Sequence, residues 1–353
     1  MRCRHQALYA VLSRPQGFAE RSGLYPLAEA IGAQPCLYRK WWPELMRFSW
    51  RLGNAVRRWG QDYYGSEWNA LVPVLHDAWL HSRIKPGPSI AHFLFAEFAS
   101  PRSSDSLRRR GATVIGTFHA SVRRQEQVHG QTALDKYDWI TVVSNVQIPF
   151  FLDRGYPAER IRVTHHGVDT HYFCPLRHPR QKSGDPLRLL LVGSTERDHS
   201  FMATLCRQLS VQDFEVTLLT SASEHHHYAG IDCVRIPGRL PDSGLLEAYQ
   251  RADLLVMPML DCTANNAVLE AMACGTPVMT NRVGGAAEYV AESCNYLMNG
   301  KHLEEWLDQL MACRRDVDLL WMRRSAVRAW AETFDWSLRA QPFLALYEEA
   351  LHE

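Results

Sequence analysis

The hydrophobic positions of this chain gather into short runs separated by polar, glycine-marked stretches. Apolar runs of strand length stand at "ALYAVLS" (7–13), "SIAHFLFAE" (89–97), "ATVIGTFHA" (112–120), "WITVVSN" (139–145) and "RIRVTHHGVD" (160–169). A second set follows at "LRLLLVGS" (187–194), "FEVTLLTS" (214–221), "DCVRIPG" (232–238) and "DLLVMPM" (253–259). Continuous apolar runs suit parallel strands buried on both faces. Helical stretches such as "LYPLAEAIG" (24–32) lie between them, and after residue 301 the chain reads as helical. Strands alternating with helices twice, across the polar basic segment "CPLRHPRQKSGDP" (174–186), predict two doubly wound α/β domains. Such a pair leaves a central cleft between two sets of strand ends.

The richest stretch is "ANNAVLEAMACGTPVMTNRVGGAAEYV" (264–290). Asn265 or Asn266 is a candidate N-cap, Ala267 to Cys274 a helix, and Gly275 its stop. Thr276 to Thr280 reads as a short extended piece, and Gly284-Gly285 opens a second helix, "AAEYVAE". In an open parallel sheet, ligands bind beyond the carboxyl ends of the strands. The helix start near Asn265 points N–H groups into that space, which suits a phosphate. Glu270 lies one turn inside the helix, in an apolar run. Two readings stand: it accepts hydrogen bonds from ribose hydroxyls, or it complements the helix dipole and is solvated.

Composition narrows the class. The 353 residues allow about two domains on the usual length prior. Hydrophobic content of 46% and charged content of 22% belong to an ordinary soluble globular protein. A net charge of +1 offers no argument for nucleic acid. The apolar runs are too short to span a membrane, and the N-terminus is too polar for a signal peptide. Nine scattered cysteines without C-x-x-C spacing read as reduced thiols of a cytoplasmic protein. Among 16 histidines, "EHHHY" (224–228) and "HHG" (165–167) are adjacent-residue runs and read as surface loops, so no metal site is expected.

These residues resemble family 4 (group 1) glycosyltransferases, which have the GT-B fold. The resemblance is carried by "GRLPDSGLLEAYQRADLLVMPMLDCTANNAVLEAMACGTPVMTNRVGGAAEYV" (238–290), by "VSNVQIPFFLDRGYPAERIRVTHHGVDTHYFCP" (143–175) and by the "LLLVGS" glycine turn. It implies an acceptor-binding Rossmann-like domain over 1–178, a nucleotide-sugar-binding one over 179–335, and a C-terminal helix (336–353) packing back on the first. The implied enzyme is a metal-independent, retaining hexosyltransferase without a cofactor. It moves sugar from a nucleotide diphosphate sugar to a hydroxyl acceptor on a glycan, a lipid-linked molecule or a small molecule. Two alternatives are a non-catalytic GT-B scaffold binding a glycan or protein partner, and another GT-B activity such as a sugar-nucleotide epimerase.

The resemblance also assigns residues. Glu270 matches the ribose-holding second glutamate of an E-x7-E motif, whereas the first falls on Cys262. Asp261 stands beside it. The family's Arg and Lys after the glycine turn are reduced here to "GSTERDHSF", with Gly193, Ser194 and one nearby cation, Arg197. A guanidinium there stabilises a leaving diphosphate, with Asn265 and Asn266 at the helix start beside it. His119 in "GTFHA" matches the histidine near the transferred sugar, Glu288 the acidic residue after the glycine pair, and Leu240 in "PGRL" a loop touching the base. Each has a plain competitor: Arg197 as a solvated loop charge, His119 as a structural strand-end histidine, and Glu288 as a dipole partner. Gly17 is either a close-approach glycine for acceptor or phosphate, or an ordinary turn. The segment 38–64 sets Trp50, Arg57 and Arg58 on or near one helix face, interrupted by Gly53 and Gly60. It is either a peripheral surface for anionic cytoplasmic-face lipid or core tryptophans beside solvated arginines.

Overall fold

The computed structural model describes residues 7–12, 23–37, 79–98, 101–129, 134–176 and 184–352. The chain divides into two compact units. One takes in residues 7–12 and the described residues of 27–165 and 340–352; the other, 23–26 and the described residues of 166–339. Gly17 and the Trp/Arg-rich segment 38–64 lie outside the described residues.

The first unit holds a six-stranded sheet ordered β2-β1-β3-β4-β5-β6, every pairing parallel. Its strands are β1 (Ala7–Leu12), β2 (Gln34–Leu37), β3 (Ser89–Phe93), β4 (Ala112–Phe118), β5 (Trp139–Val142) and β6 (Ile161–Val163). β3 and β5 are buried at every position, as unalternating apolar runs predict. β2, "QPCL", is a strand that hydrophobic patterning does not announce.

Burial of β3 creates a polar problem, because His92 sits in it fully buried. The solution is a chain of hydrogen bonds. Nε2 is 2.6 Å from Thr117 Oγ1, which is 2.5 Å from Thr141 Oγ1, and Nδ1 is 2.6 Å from the Tyr347 hydroxyl. Tyr347 lies on the C-terminal helix Gln341–His352, so that helix is fastened to the core of the first sheet. Phe343, Leu346 and Ala350 share its buried side.

The second unit holds a parallel sheet ordered β12-β11-β10-β7-β8-β9. Its strands are β7 (Leu187–Val192), β8 (Phe214–Leu219), β9 (Val234–Arg235), β10 (Leu254–Met257), β11 (Val278–Asn281) and β12 (Tyr296–Met298). Successive residues of the central strands enter opposite cores. Leu189, Leu191, Leu254 and Val256 pack with Met202, Trp306 and Leu310, whereas Leu190, Leu255 and Met257 pack with Tyr249, Leu269 and Val327. Helices therefore cover both faces, the doubly wound arrangement. The helix expected after the glycine pair is a single turn, Ala286–Tyr289, because Val290 leaves it in extended backbone.

No helix among the described residues is long and apolar enough to cross a membrane. The "HHG" run departs from a surface loop: His166 is 4% exposed and its ring lies 5.0 Å from that of Trp336. The three histidines of "EHHHY" lie in a 3-10 turn, Ala222–Tyr228, whose His226 is exposed.

Burial pushes the His92 pKa from 6.5 down to about 3. A histidine depressed in the folded state is neutral there while its unfolded counterpart binds a proton. Stability is therefore lost as pH falls from 6.5 toward about 3. Thermal unfolding across that range is expected to show a shallower acid loss in His92→Gln than in wild type. Tyr347→Phe is expected to cost about 1–3 kcal/mol in denaturant unfolding, since it strips a partner from a buried imidazole.

Candidate active site

The sheet order reverses direction between β7 and β10, since β8 and β9 extend one way and β11 and β12 the other. That switch point is where an open α/β sheet receives a ligand. The loops leaving β7 and β10 meet there. Asp198 N donates to Pro258 O at 2.8 Å, Leu260 N donates to Glu196 O at 2.9 Å, and Arg197 bridges Met259. Glu196 adopts φ 59°, a left-handed backbone that non-glycine residues seldom take.

The loop turns at Gly193, with φ 95°. A Cβ there would stand 2.8 Å from Arg197 Nη2, so the missing side chain makes room for the guanidinium. Arg197 donates to Val192 O at 3.1 Å, Thr195 O at 2.6 Å and Asn265 Oδ1 at 3.2 Å. All three acceptors are uncharged. Burial pushes the Arg197 pKa down, opposed by the nearby Cys262, Tyr249 and Glu270. The half-buried guanidinium is thus bonded within its own loop and to Asn265, rather than standing free as a loop charge. Ser194 turns the other way, with Oγ 2.8 Å from Thr220 Oγ1 and 2.9 Å from Ser221 Oγ.

Asn265 is the N-cap of the helix Asn266–Ala273, its side chain accepting from Val268 N. One oxygen thus serves both a helix N–H and the Arg197 guanidinium. Glu270 is 3% exposed, which excludes a solvated carboxylate, and its Oε2 accepts the Tyr249 hydroxyl at 2.8 Å. With Asn266 it borders a narrow crevice whose other walls include Gly23, Asp169 and Phe173. Tyr249, Gly23 and Asp169 are participants that motif reading passes over. The signal at Tyr249 is a large aromatic set between Ala248 and Gln250 in the stretch "EAYQR".

Cys262 stands with this group, 6% exposed. Burial pushes its thiol up to about 12, opposed by Arg197, so the side chain is neutral. Its carbonyl accepts Gly285 N at 2.8 Å. A Cβ on Gly284, whose φ is 49°, would lie 2.1 Å from that carbonyl oxygen. The glycine pair therefore follows from a backbone-on-backbone contact between two loops at the sheet's carboxyl edge. Asp261 Oδ1 accepts Cys262 N at 2.7 Å, which fixes the neighbouring carboxylate against the same turn. Glu288 follows in the first turn of Ala286–Tyr289.

Gly193, Arg197, Cys262, Asn265, Asn266, Glu270 and Glu288 thus gather at one edge of the second unit, with Ser194 at its flank. Leu240 lies instead against Gly244 in the first turn of the helix Asp242–Arg251. His119 belongs to the first unit, just past the carboxyl end of β4. Its Nε2 is 2.8 Å from Leu94 O, so that nitrogen carries the ring proton of the neutral tautomer. Among the described residues no group of three or more His, Cys, Asp or Glu side chains is arranged to hold a metal.

Two doubly wound parallel α/β units of this kind define the GT-B fold. A solved glycosyltransferase from Rickettsia africae ESF-5 matches with a TM-score of 0.69 at 15% identity, covering 99% of each chain. Anabaena HepE in complex with UDP and glucose matches with a TM-score of 0.70 at 14% identity, over 98% of this chain and 100% of that one. Residues 175–316 match the family described as glycosyl transferases group 1. A D-inositol 3-phosphate glycosyltransferase of Paenarthrobacter aurescens (strain TC1) is 28% identical over 220 residues, covering 56% of this chain and 53% of the relative. One from Nocardia farcinica (strain IFM 10152) is 34% identical over 116 residues, 32% of this chain and 25% of the relative.

The Gly284 contact yields a stability prediction. Gly284→Ala sets a methyl group against a backbone carbonyl and forces a left-handed residue. Denaturant unfolding is expected to show a loss of at least about 1–3 kcal/mol. An unchanged midpoint would mean that the two loops separate freely.

Proposed function

We propose that this protein is a retaining glycosyltransferase that takes its sugar from a nucleotide diphosphate donor and passes it to a hydroxyl acceptor. The observation that carries the reading is the half-buried Arg197 guanidinium, held by uncharged oxygens at the switch point. A partly desolvated cation beside a helix N-terminus suits an anion, and a diphosphate can use both. Glu270, one helical turn further in, then accepts the ribose hydroxyls, with Tyr249 holding one carboxylate oxygen.

Charge develops on the leaving diphosphate as the glycosidic bond breaks, and fixed donors there lower the barrier most. On this reading the acceptor hydroxyl attacks the face from which the diphosphate departs and gives its proton to the departing phosphate. Arg197 and the N–H groups near Asn266 supply the positive field without a metal. The kinship with sugar-transferring relatives, one group of them named for inositol 3-phosphate, supports the reaction class. A non-catalytic scaffold is the second reading, favoured by the neutral thiol at Cys262 where the family places a carboxylate.

Titration calorimetry with nucleoside diphosphates in the presence of EDTA is expected to show binding. Glu270→Ala is expected to weaken it by about 1.5–3 kcal/mol, the range for a hydrogen bond to a charged group. Nucleotide affinity unaltered in that variant removes the ribose assignment. Binding without donor hydrolysis or transfer selects the scaffold, and absence of both binding and turnover rejects the enzyme.

Cys262 allows a separate test. Cys262→Ser is expected to retain most turnover, because a neutral thiol supplies little charge, whereas Cys262→Glu is expected to change donor preference across a panel of sugar nucleotides. Turnover abolished by serine in a folded variant would give the thiol a chemical role.

A further inference from the structure

The first unit contains a buried carboxylate that the proposed reaction does not use. Glu97 lies in the 3-10 turn Ala96–Phe98 that follows β3, and is 3% exposed. Its Oε1 accepts both His119 N and Ala120 N, the latter at 2.5 Å. These are the first two amides beyond β4, so one oxygen sets the path of the turn bearing His119. The other oxygen, Oε2, is buried without a partner.

The 3-10 turn packs against the helix Val122–His129, and that helix brings a second orphan. Gln125 is fully buried; its Nε2 donates to Ala120 O at 2.9 Å, while its Oε1 has no partner. Glu97 and Gln125 thus grip opposite ends of the Ala120 residue, N–H and carbonyl. Each leaves one buried acceptor oxygen unused. Buried acceptors without donors are costly, and a proton on Glu97 is the smallest change that adds a donor.

We infer that Glu97 is a positioning residue that holds the His119–Ala120 turn while carrying a proton on Oε2, and that loss of this proton loosens the turn. The charged and titratable groups facing it are Arg124 on the helix, Tyr137 before β5 and His119 in the turn itself. Burial pushes the carboxyl from 4.5 up to about 7, outweighing the backbone N–H donors of Ala120, Glu97 itself and His119, and the exposed Arg124, all of which favour the charged form. The closed turn therefore retains a proton that the opened turn has released. Its stability falls as pH rises from 4.5 to about 7 and then levels. No covalent step is involved; the proton passes to solvent. The consequence for turnover rests on the transfer reaction proposed above, but the exchange measurement stands without it.

The test is amide hydrogen exchange of His119 and Ala120 in the full chain, corrected for intrinsic rates, from about pH 5 to about pH 8. In wild type, protection is expected to fall by up to about tenfold per pH unit below about 7 and then to flatten. Glu97→Gln keeps an acceptor for the two amides and adds a permanent donor, so its protection is expected to stay high and level. Glu97→Ala is expected to lose at least about tenfold in protection across the range. A pH-dependent fall in Glu97→Gln equal to that of wild type would overturn the inference, as would Glu97→Ala protected like Glu97→Gln. If Glu97→Ala does not fold, the wild-type and Gln profiles decide. For turnover, kcat should follow the wild-type exchange profile and lose that pH dependence in Glu97→Gln, while nucleotide affinity stays constant. A wild type that transfers no sugar would sink the proposed reaction and leave the exchange result untouched.

Discussion

Everything at the carboxyl edge of the second sheet depends on one constraint: a half-buried guanidinium has to be held without a carboxylate partner. Arg197 reaches that state because the chain supplies carbonyl oxygens on its own loop, an Asn265 side chain across the switch point, and a glycine with no Cβ in the way. Each of those is set by something further out. The loop is pinned by its pairing with 258–260, whose position follows from β10 being buried on both faces. Asn265 is fixed because it caps the helix Asn266–Ala273, and that helix is fixed because nearly all of it is buried. The strained backbone of Glu196 is the local distortion that this arrangement tolerates.

How much of this was legible in the sequence follows from what kind of signal each feature leaves. The central strands and the N-cap were readable because apolar runs and a capping asparagine act over a few residues. β2 and β12 were not, since a short edge strand such as "QPCL" is held by its neighbour and needs no hydrophobic run of its own. The single turn at Ala286–Tyr289 was overestimated for a related reason. Its residues favour helix, but the chain must straighten at Val290 to continue toward β12. The family resemblance singles out Glu270 and Arg197, but says nothing of their partners. Tyr249 reaches Glu270 through tertiary packing of two helices, and no spacing rule links positions 249 and 270. The Trp/Arg-rich segment 38–64 and Gly17 lie outside the described residues.

Histidine illustrates how poorly a residue type predicts its environment. His92, His119 and His166 all come from apolar or glycine-flanked runs, and they serve different ends. His92 completes a hydroxyl chain inside a sheet. His166 packs on Trp336 with its Nδ1 2.7 Å from Gly167 O. His119 sits at a strand end, half-exposed, with its backbone held by Glu97. Patterning placed all three near strands. Only their hydrogen-bond partners separate the two that are structural from the one positioned at a strand's carboxyl end.

The Cys262 position shows how a loop keeps its geometry when its chemistry changes. What the Gly284-Gly285 turn requires of residue 262 is its backbone: a carbonyl that accepts Gly285 N, approached so closely that no side chain fits at 284. That requirement is indifferent to the side chain at 262. A thiol can therefore stand there without disturbing the contact, provided it stays neutral, and burial ensures that it does. The thiol itself carries no charge. The adjacent carboxylate of Asp261 is instead committed to the Cys262 amide, so the turn's own hydrogen bonding fixes its direction. The backbone contact and the side-chain chemistry at this edge are thus separable, and a change in one does not by itself undo the other.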